Sequence, residues 1–103
     1  MKTILMHNDY NKQHLAAVIE QMRTLGAPTL RAVWIEAYGA WMLLEGCHRA
    51  RAAKALGLSI NIDAVEFVAE MTTTDLGLDC QDEMTMEELV DDAHRREMIE
   101  IAD

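Results

Sequence analysis

The chain has 103 residues, half of them hydrophobic, and its nine basic and eighteen acidic side chains give a net charge of −9. That length suits one domain around one modest core, and two cysteines allow at most one bridge rather than a disulfide framework. General nucleic-acid binding is disfavoured, because neutralising phosphates requires a surplus of Lys and Arg on some face.

In chain order, Lys2 to Met6 predicts a short strand. Asp9 or Asn11 caps a helix in which Leu15, Val18, Ile19 and Met22 recur at helical spacing, and that helix stops at Gly26 and Pro28. Leu30 to Ala37 (LRAVWIEA) predicts a strand, Tyr38-Gly39-Ala40 a tight connection, and Trp41 to Leu44 a second strand paired with the first as a hairpin. After Gly46, the run from Cys47 to Leu56 has strong helix propensity, and Gly57 suits a left-handed cap. INIDAVEFV alternates Ile60, Ile62, Ala64 and either Val65 or Phe67, the pattern of a strand with one buried face. Thr72 to Asp82 predicts a loop or a short helix. Thr85 and Glu88 form a capping box for a last helix, with Met86, Leu89, Val90, Ala93 and Ile101 as an imperfect apolar stripe.

The fold class expected is therefore α/β, strictly α+β: a small mixed sheet with flanking helices over residues 1–83, and an acidic amphipathic helix over 84–103 packed on it. No apolar run approaches the roughly 20 residues that span a bilayer. MKTILMHND turns polar too soon for a signal peptide, so a reduced, cytoplasmic protein is expected, with no membrane partner.

Charge is divided unevenly. Residues 1–69 carry a net +1, whereas residues 70–103 carry −10. The first part is able to hold an anion; the tail is not.

The segment best suited to do so is WMLLEGCHRARAAKALGL, residues 41–58. A strand that ends at Gly46 and turns directly into a helix presents unpaired backbone N–H groups at the positive end of the helix dipole. Gly46 allows a phosphate close to the backbone, Arg49 supplies a forked donor, and His48 adds another. Arg51, two positions on, points elsewhere, toward a second phosphate or an acidic neighbour. The blander alternative is an ordinary strand–glycine–helix turn with solvated arginines. Cys47 sits where a helix start, His48 and Arg49 favour thiolate, which makes it a candidate nucleophile; the alternative is a small residue filling space beside the sheet. Cys80, in an acidic loop, has no such help. Cys47, His48, Cys80 and His94 match no compact zinc spacing, so no metal site is expected.

Gly46-Cys47-His48-Arg49 resembles the GCHR signature of sulfiredoxins, and Arg49, Arg51, Ala52, Ala53, Lys54, Leu56 and Gly57 resemble the GERRWRAAKLAGL-style box of ParB N-terminal domains. The chain thus resembles the ParB/sulfiredoxin superfamily over about residues 8 to 79. Ala27-Pro28 leading into AVWI, and INIDAVEF followed by TTTDLGL, are similar to the flanking strands. Asp9-Tyr10-Asn11-Lys12 matches by letters a sulfiredoxin Asp-Pro-x-Lys element, in which Lys12 would contact nucleotide, whereas matching the helix's apolar stripe places Asn11 and His14 there instead. The ParB Pro-Arg element and helix-turn-helix domain have no counterpart here, which argues against a partitioning protein.

The resemblance implies a nucleotide-binding protein that takes ATP or another nucleoside triphosphate with Mg2+. It further implies ATP-dependent reduction of a cysteine sulfinic acid on a peroxiredoxin-like partner, or related phosphoryl transfer. Cys47 would then be the catalytic thiol, with Gly46, His48, Arg49, Arg51 and Lys12 at the phosphates. Two other classes remain open: a non-catalytic module in which nucleotide organises the acidic tail for a protein partner, and an acidic phage- or plasmid-type inhibitor. In the tail, Asp91 with Arg95 and Asp92 with Arg96 are expected i, i+4 pairs. Met84, Met86 and Met98 would serve an interaction arm if the helix were free.

Overall fold

A computed structural model describes residues 1–78 and 82–103. Five strands form one mixed sheet: β1 (Lys2–Ile4), β2 (Thr29–Ile35), β3 (Ala40–Leu43), β4 (Asn61–Ala64) and β5 (Met98–Glu100), in the order β4-β2-β3-β1-β5. The flanking helices are α1 (Lys12–Leu25), α2 (Cys47–Leu56) and α3 (Met86–Asp91). The expected small α/β domain with a mixed sheet and flanking helices is what the chain forms.

The central hairpin arises as its sequence dictates. β2 and β3 are antiparallel, with Trp34 opposite Trp41, and their rings meet edge to face at 5.3 Å. A 3-10 turn, Glu36–Tyr38, joins the strands and closes on Gly39, whose φ of 56° is in the left-handed region. β1 then adds parallel to β3 and β4 parallel to β2, each parallel join reached through a helical crossover. α1 begins at Asn11, whose side chain accepts the His14 N–H at 2.8 Å. Asn11, not Asp9, is therefore the cap.

Residues on both sheet faces are buried. By register, Ile4, Met42 and Val33 share one face and Thr3 and Trp41 the other. Leu30, Ala32, Leu43 and Ile35 are also buried, as are Ala50, Ala52 and Ala53 of α2, where small side chains bring the helix close. α1 and α2 pack against each other.

The C-terminal expectation needs correction. The helix capped by Thr85 and Glu88 forms, with both halves of the capping box in place, but it ends at Asp91 rather than running to residue 103. A 3-10 turn (Ala93–Arg95) follows, and the chain then enters the sheet as β5, antiparallel to β1. Ile99 and Ile101 are buried as strand-region residues, not as members of a helical stripe. Arg96 donates to the Met6 carbonyl, and the Met1 ammonium donates to the Ile101 carbonyl at 2.9 Å. Beyond β5, Ala102 bridges in parallel to Ser59, just ahead of β4, so the two edges of the sheet curl toward each other. Residues 84–103 are thus not one helix laid on a finished domain, since they supply one of its edges. Of the two expected ion pairs, Asp92 with Arg96 forms at 3.9 Å, whereas Arg95 pairs with Asp92 at 2.8 Å rather than with Asp91.

Smaller differences lie at element ends. β4 stops at Ala64 and leaves Phe67 exposed. Residues 72–78 form turns, in which Thr72 and Asp75 each accept the other's backbone N–H at 3.1 Å. Cys80 lies outside the described residues.

Candidate functional site

A cleft of about 720 Å³ opens between α1, the end of β3 and the start of α2. Its walls combine apolar side chains from α1 and the segment after it (Val18, Met22, Pro28) with Gly46, His48 and Arg49 from the junction after β3. Such a mixture of apolar wall and a few convergent polar groups is common in small-molecule sites.

The junction owes its shape to Gly46. Its φ of 72° places it in the left-handed region, and an added Cβ would lie 2.5 Å from Leu30 Cδ2, so both backbone and packing require glycine. No side chain caps α2. The Ala50 N–H reaches the Gly46 carbonyl at 2.9 Å, and among the described residues the N–H groups of Cys47, His48 and Arg49 have no acceptor. The positive end of a ten-residue helix therefore faces the cleft.

The two arginines of the box have different partners. Arg49 is exposed and lines the cleft, its guanidinium folded back to within about 3.4 Å of the space a Gly46 Cβ would fill. Among the described residues it makes no ion pair and no side-chain hydrogen bond. Arg51 is instead committed. It pairs with Glu97 at 2.5 Å, donates to the Asn8 carbonyl at 3.0 Å and stacks over the Tyr10 ring at 4.5 Å. That guanidinium holds the Glu97 carboxyl below the usual carboxylate range. Of the two destinations expected for Arg51, it takes the acidic neighbour. Lys12 opens α1 as an exposed residue and does not line the cleft, whereas His14, Val18 and Met22 of the same helix do.

Cys47 is a cleft-wall residue and 8% exposed. Glu45 also lines the cleft, but Arg31 holds it through two contacts, at 2.9 and 3.3 Å, and Arg31 donates in addition to the Leu76 carbonyl. Hydrogen bonding to Arg31, with a smaller contribution from the Arg49 charge, keeps the Glu45 carboxyl below its ordinary value. The one cleft carboxylate on the strand–helix junction is thus neutralised by Arg31, leaving Arg49 without a close counter-ion among the described residues.

Three of the four histidines meet here: His7 after β1, His14 on α1 and His48 on α2 all line the cleft. His14 and His48 contact edge to face at 4.5 Å, and the Asn11 N–H donates to His48 Nε2 at 3.2 Å. Burial, then the charges of His14, Arg51 and His7, push His48 below the ordinary histidine value. His7 was missed as a site residue in the sequence, and His14 was offered there only as an alternative to Lys12; nothing in the spacing of either relates it to His48. His94 hydrogen-bonds within its own turn, at the Asp91 carbonyl, and does not line the cleft. No group of three or more metal-ligating side chains forms among the described residues, and no helix there is long and apolar enough to cross a membrane.

Comparison with known protein families, curated proteins and solved structures finds no match to this chain.

Proposed function

We propose that this protein binds the phosphate of a nucleotide or similar phosphate ester at the start of α2. The observation that carries the reading is the helix start at Gly46, which has no side-chain cap and opens on a cleft beside Arg49, a guanidinium with no ion-pair partner among the described residues. An anion there would accept from backbone N–H groups and from a guanidinium fork, two kinds of contact that reinforce each other. Val18, Met22 and Pro28 offer an apolar wall for the organic part of the ligand. Magnesium would arrive on the phosphates, where that ion is commonly held with few protein carboxylates.

The position of Cys47 on the same wall supports an enzymatic version of the reading. There the likeness to the sulfiredoxin box implies ATP-dependent reduction of a sulfinylated cysteine on a peroxiredoxin-like partner: the Cys47 thiolate would displace phosphate from the ATP-activated sulfinyl phosphate to give a thiosulfinate, and an external thiol would then release the partner's sulfenic acid and end as a disulfide. Without that step, the protein is a nucleotide-responsive binding module. The free-arm form of the module is not favoured, because Met86 is buried and β5 is part of the sheet.

Calorimetry with ATP, ADP, CTP and GTP in the presence of Mg2+ tests the site before any reaction is assumed. Binding of at least one of them is expected, and silence from all four would overturn the reading. Cys47→Ser then separates the two versions: it should leave nucleotide affinity in place and, for the enzyme, abolish ATP-dependent repair of a sulfinylated peroxiredoxin.

A further inference from the structure

On the cleft wall, His48 joins the two helices. Its Nε2 accepts the backbone N–H of Asn11, the residue that caps α1, while its own backbone belongs to the first turn of α2. That bond exists only while Nε2 is unprotonated, since an imidazolium nitrogen donates and does not accept. The bond therefore fixes His48 as neutral, with its proton on Nδ1. His14 stands against the ring edge to face at 4.5 Å.

The groups around His48 come from every element packed on it. The segment after β1 brings His7 and Asp9, α1 brings His14, β2 brings Arg31, α2 brings Cys47, Arg49 and Arg51, and the end of β3 brings Glu45. Arg51 and Glu45 are already paired, with Glu97 and Arg31 respectively. No ion pair to any of the three cleft histidines forms among the described residues. A proton on His48 would thus be added to a cluster of His14, His7 and Arg51 with no carboxylate bound to the ring.

We propose that His48 is a proton-operated latch on the cleft: neutral, it ties the start of α1 to α2 through Asn11, and protonated, it gives up that bond and turns an N–H toward an anion seated in the cleft. The anion half rests on the phosphate-binding reading above; the proton half does not. Burial and the neighbouring positive groups make the neutral, latched form the resting state near pH 7. An anion reverses that balance by favouring the charged ring, so anion binding takes up a proton and releases the start of α1.

The test uses the intact chain, NMR titration from pH 8 to 5, and sulfate as a probe that keeps its charge throughout that range. In its absence, the His48 ring should titrate below the ordinary value of about 6.5, and the Asn11 N–H should lose its hydrogen-bonded shift with the same midpoint. An Asn11 signal that ignores the titration of His48 overturns the latch. His48→Gln offers an acceptor that does not titrate, so the pH response of Asn11 should vanish; its persistence means that another group drives it, which also overturns the proposal. Added sulfate should raise the His48 midpoint and leave the His94 ring unaffected. If sulfate moves the N–H signals of Cys47 to Arg49 but not the His48 midpoint, the anion coupling is wrong while the phosphate site stands. If sulfate moves none of them, the phosphate site and the coupling both fail, and the proton latch is judged by Asn11 alone.

Discussion

The Gly46–Arg49 junction and the Glu97–Ile101 segment sit at opposite ends of one interaction, since Arg51, just past the first, pairs with Glu97 at the start of the second. Their conformations have different origins. At the junction the chain dictates its own path: a left-handed glycine, then a run of helix formers, then a glycine cap at Gly57 with φ 69°. In the C-terminal segment nothing local selects strand over helix, and β5 exists because β1 offers it an edge and the core accepts Ile99 and Ile101. The first region is built locally and faces a cleft, whereas the second is built by distant partners and completes the fold. A residue's charge says little about which role it serves. Arg49 and Arg51 lie two positions apart, roughly 200° around the helix, and among the described residues one is unpaired while the other is locked in place.

Breaking the second region should have the larger effect. Ile99→Ala with Ile101→Ala removes two buried side chains from β5 and its continuation, at about 2–5 kcal/mol each, which is most of the stability of a domain this small. Thermal melts and urea titrations are expected to show a protein that is largely unfolded at 25 °C. A variant that melted near the wild-type temperature would mean that this segment is dispensable after all.

The junction is next. Gly46→Ala places a Cβ 2.5 Å from Leu30 Cδ2 in a left-handed backbone, and overpacking together with the lost conformation should cost about 1–3 kcal/mol. Urea unfolding measures the loss, and calorimetry should show weaker anion binding in the folded fraction.

The contrast between the arginines is sharpened by paired variants. Arg49→Ala should lower nucleotide affinity by about tenfold or more, the worth of a charge-assisted contact to phosphate, and leave the melting temperature nearly unchanged. Arg51→Ala should do the reverse. It loses an ion pair to a partly exposed carboxylate and a bond to the Asn8 carbonyl, about 1 kcal/mol of stability, with little direct effect on the anion. Equal effects of the two on affinity would place the phosphate elsewhere. Lys12→Ala, outside the cleft, should change neither property.

The smallest effect is on pH dependence. Because the folded protein holds His48 below its ordinary value, the unfolded chain takes up that proton first as pH falls. The contribution of His48 is whole above about pH 6.5 and is lost as pH drops through the folded value. Glu45 and Glu97, also held low, keep their contributions until the carboxylate range below about pH 4.5. Stability measured by urea between pH 7.5 and 5.5 should therefore decline slightly in the wild type and less in His48→Gln.

Much of the fold was legible in the sequence. The β2–β3 hairpin, α1 with its apolar stripe, α2 between two glycines and the Thr85–Glu88 capping box follow from spacing and turn chemistry, because each is decided within a few residues of chain. The junction as a candidate anion site was legible for the same reason. The histidine cluster was not: His7, His14 and His48 are brought together by the packing of α1 on α2 and by the turn after β1, and no sequence period connects them.

By itself, then, the sequence determined the local geometry, namely which stretches are helical, where glycine bends the chain, and that Gly46 opens a helix with arginines on it. Tertiary structure decided which partners those residues meet. It turned the end of a capped helix into an edge strand, since β1 had an unpaired edge and Ile99 and Ile101 needed burial. It assigned Arg51 to Glu97 and left Arg49 to the cleft, because side chains two positions apart on a helix face different neighbours.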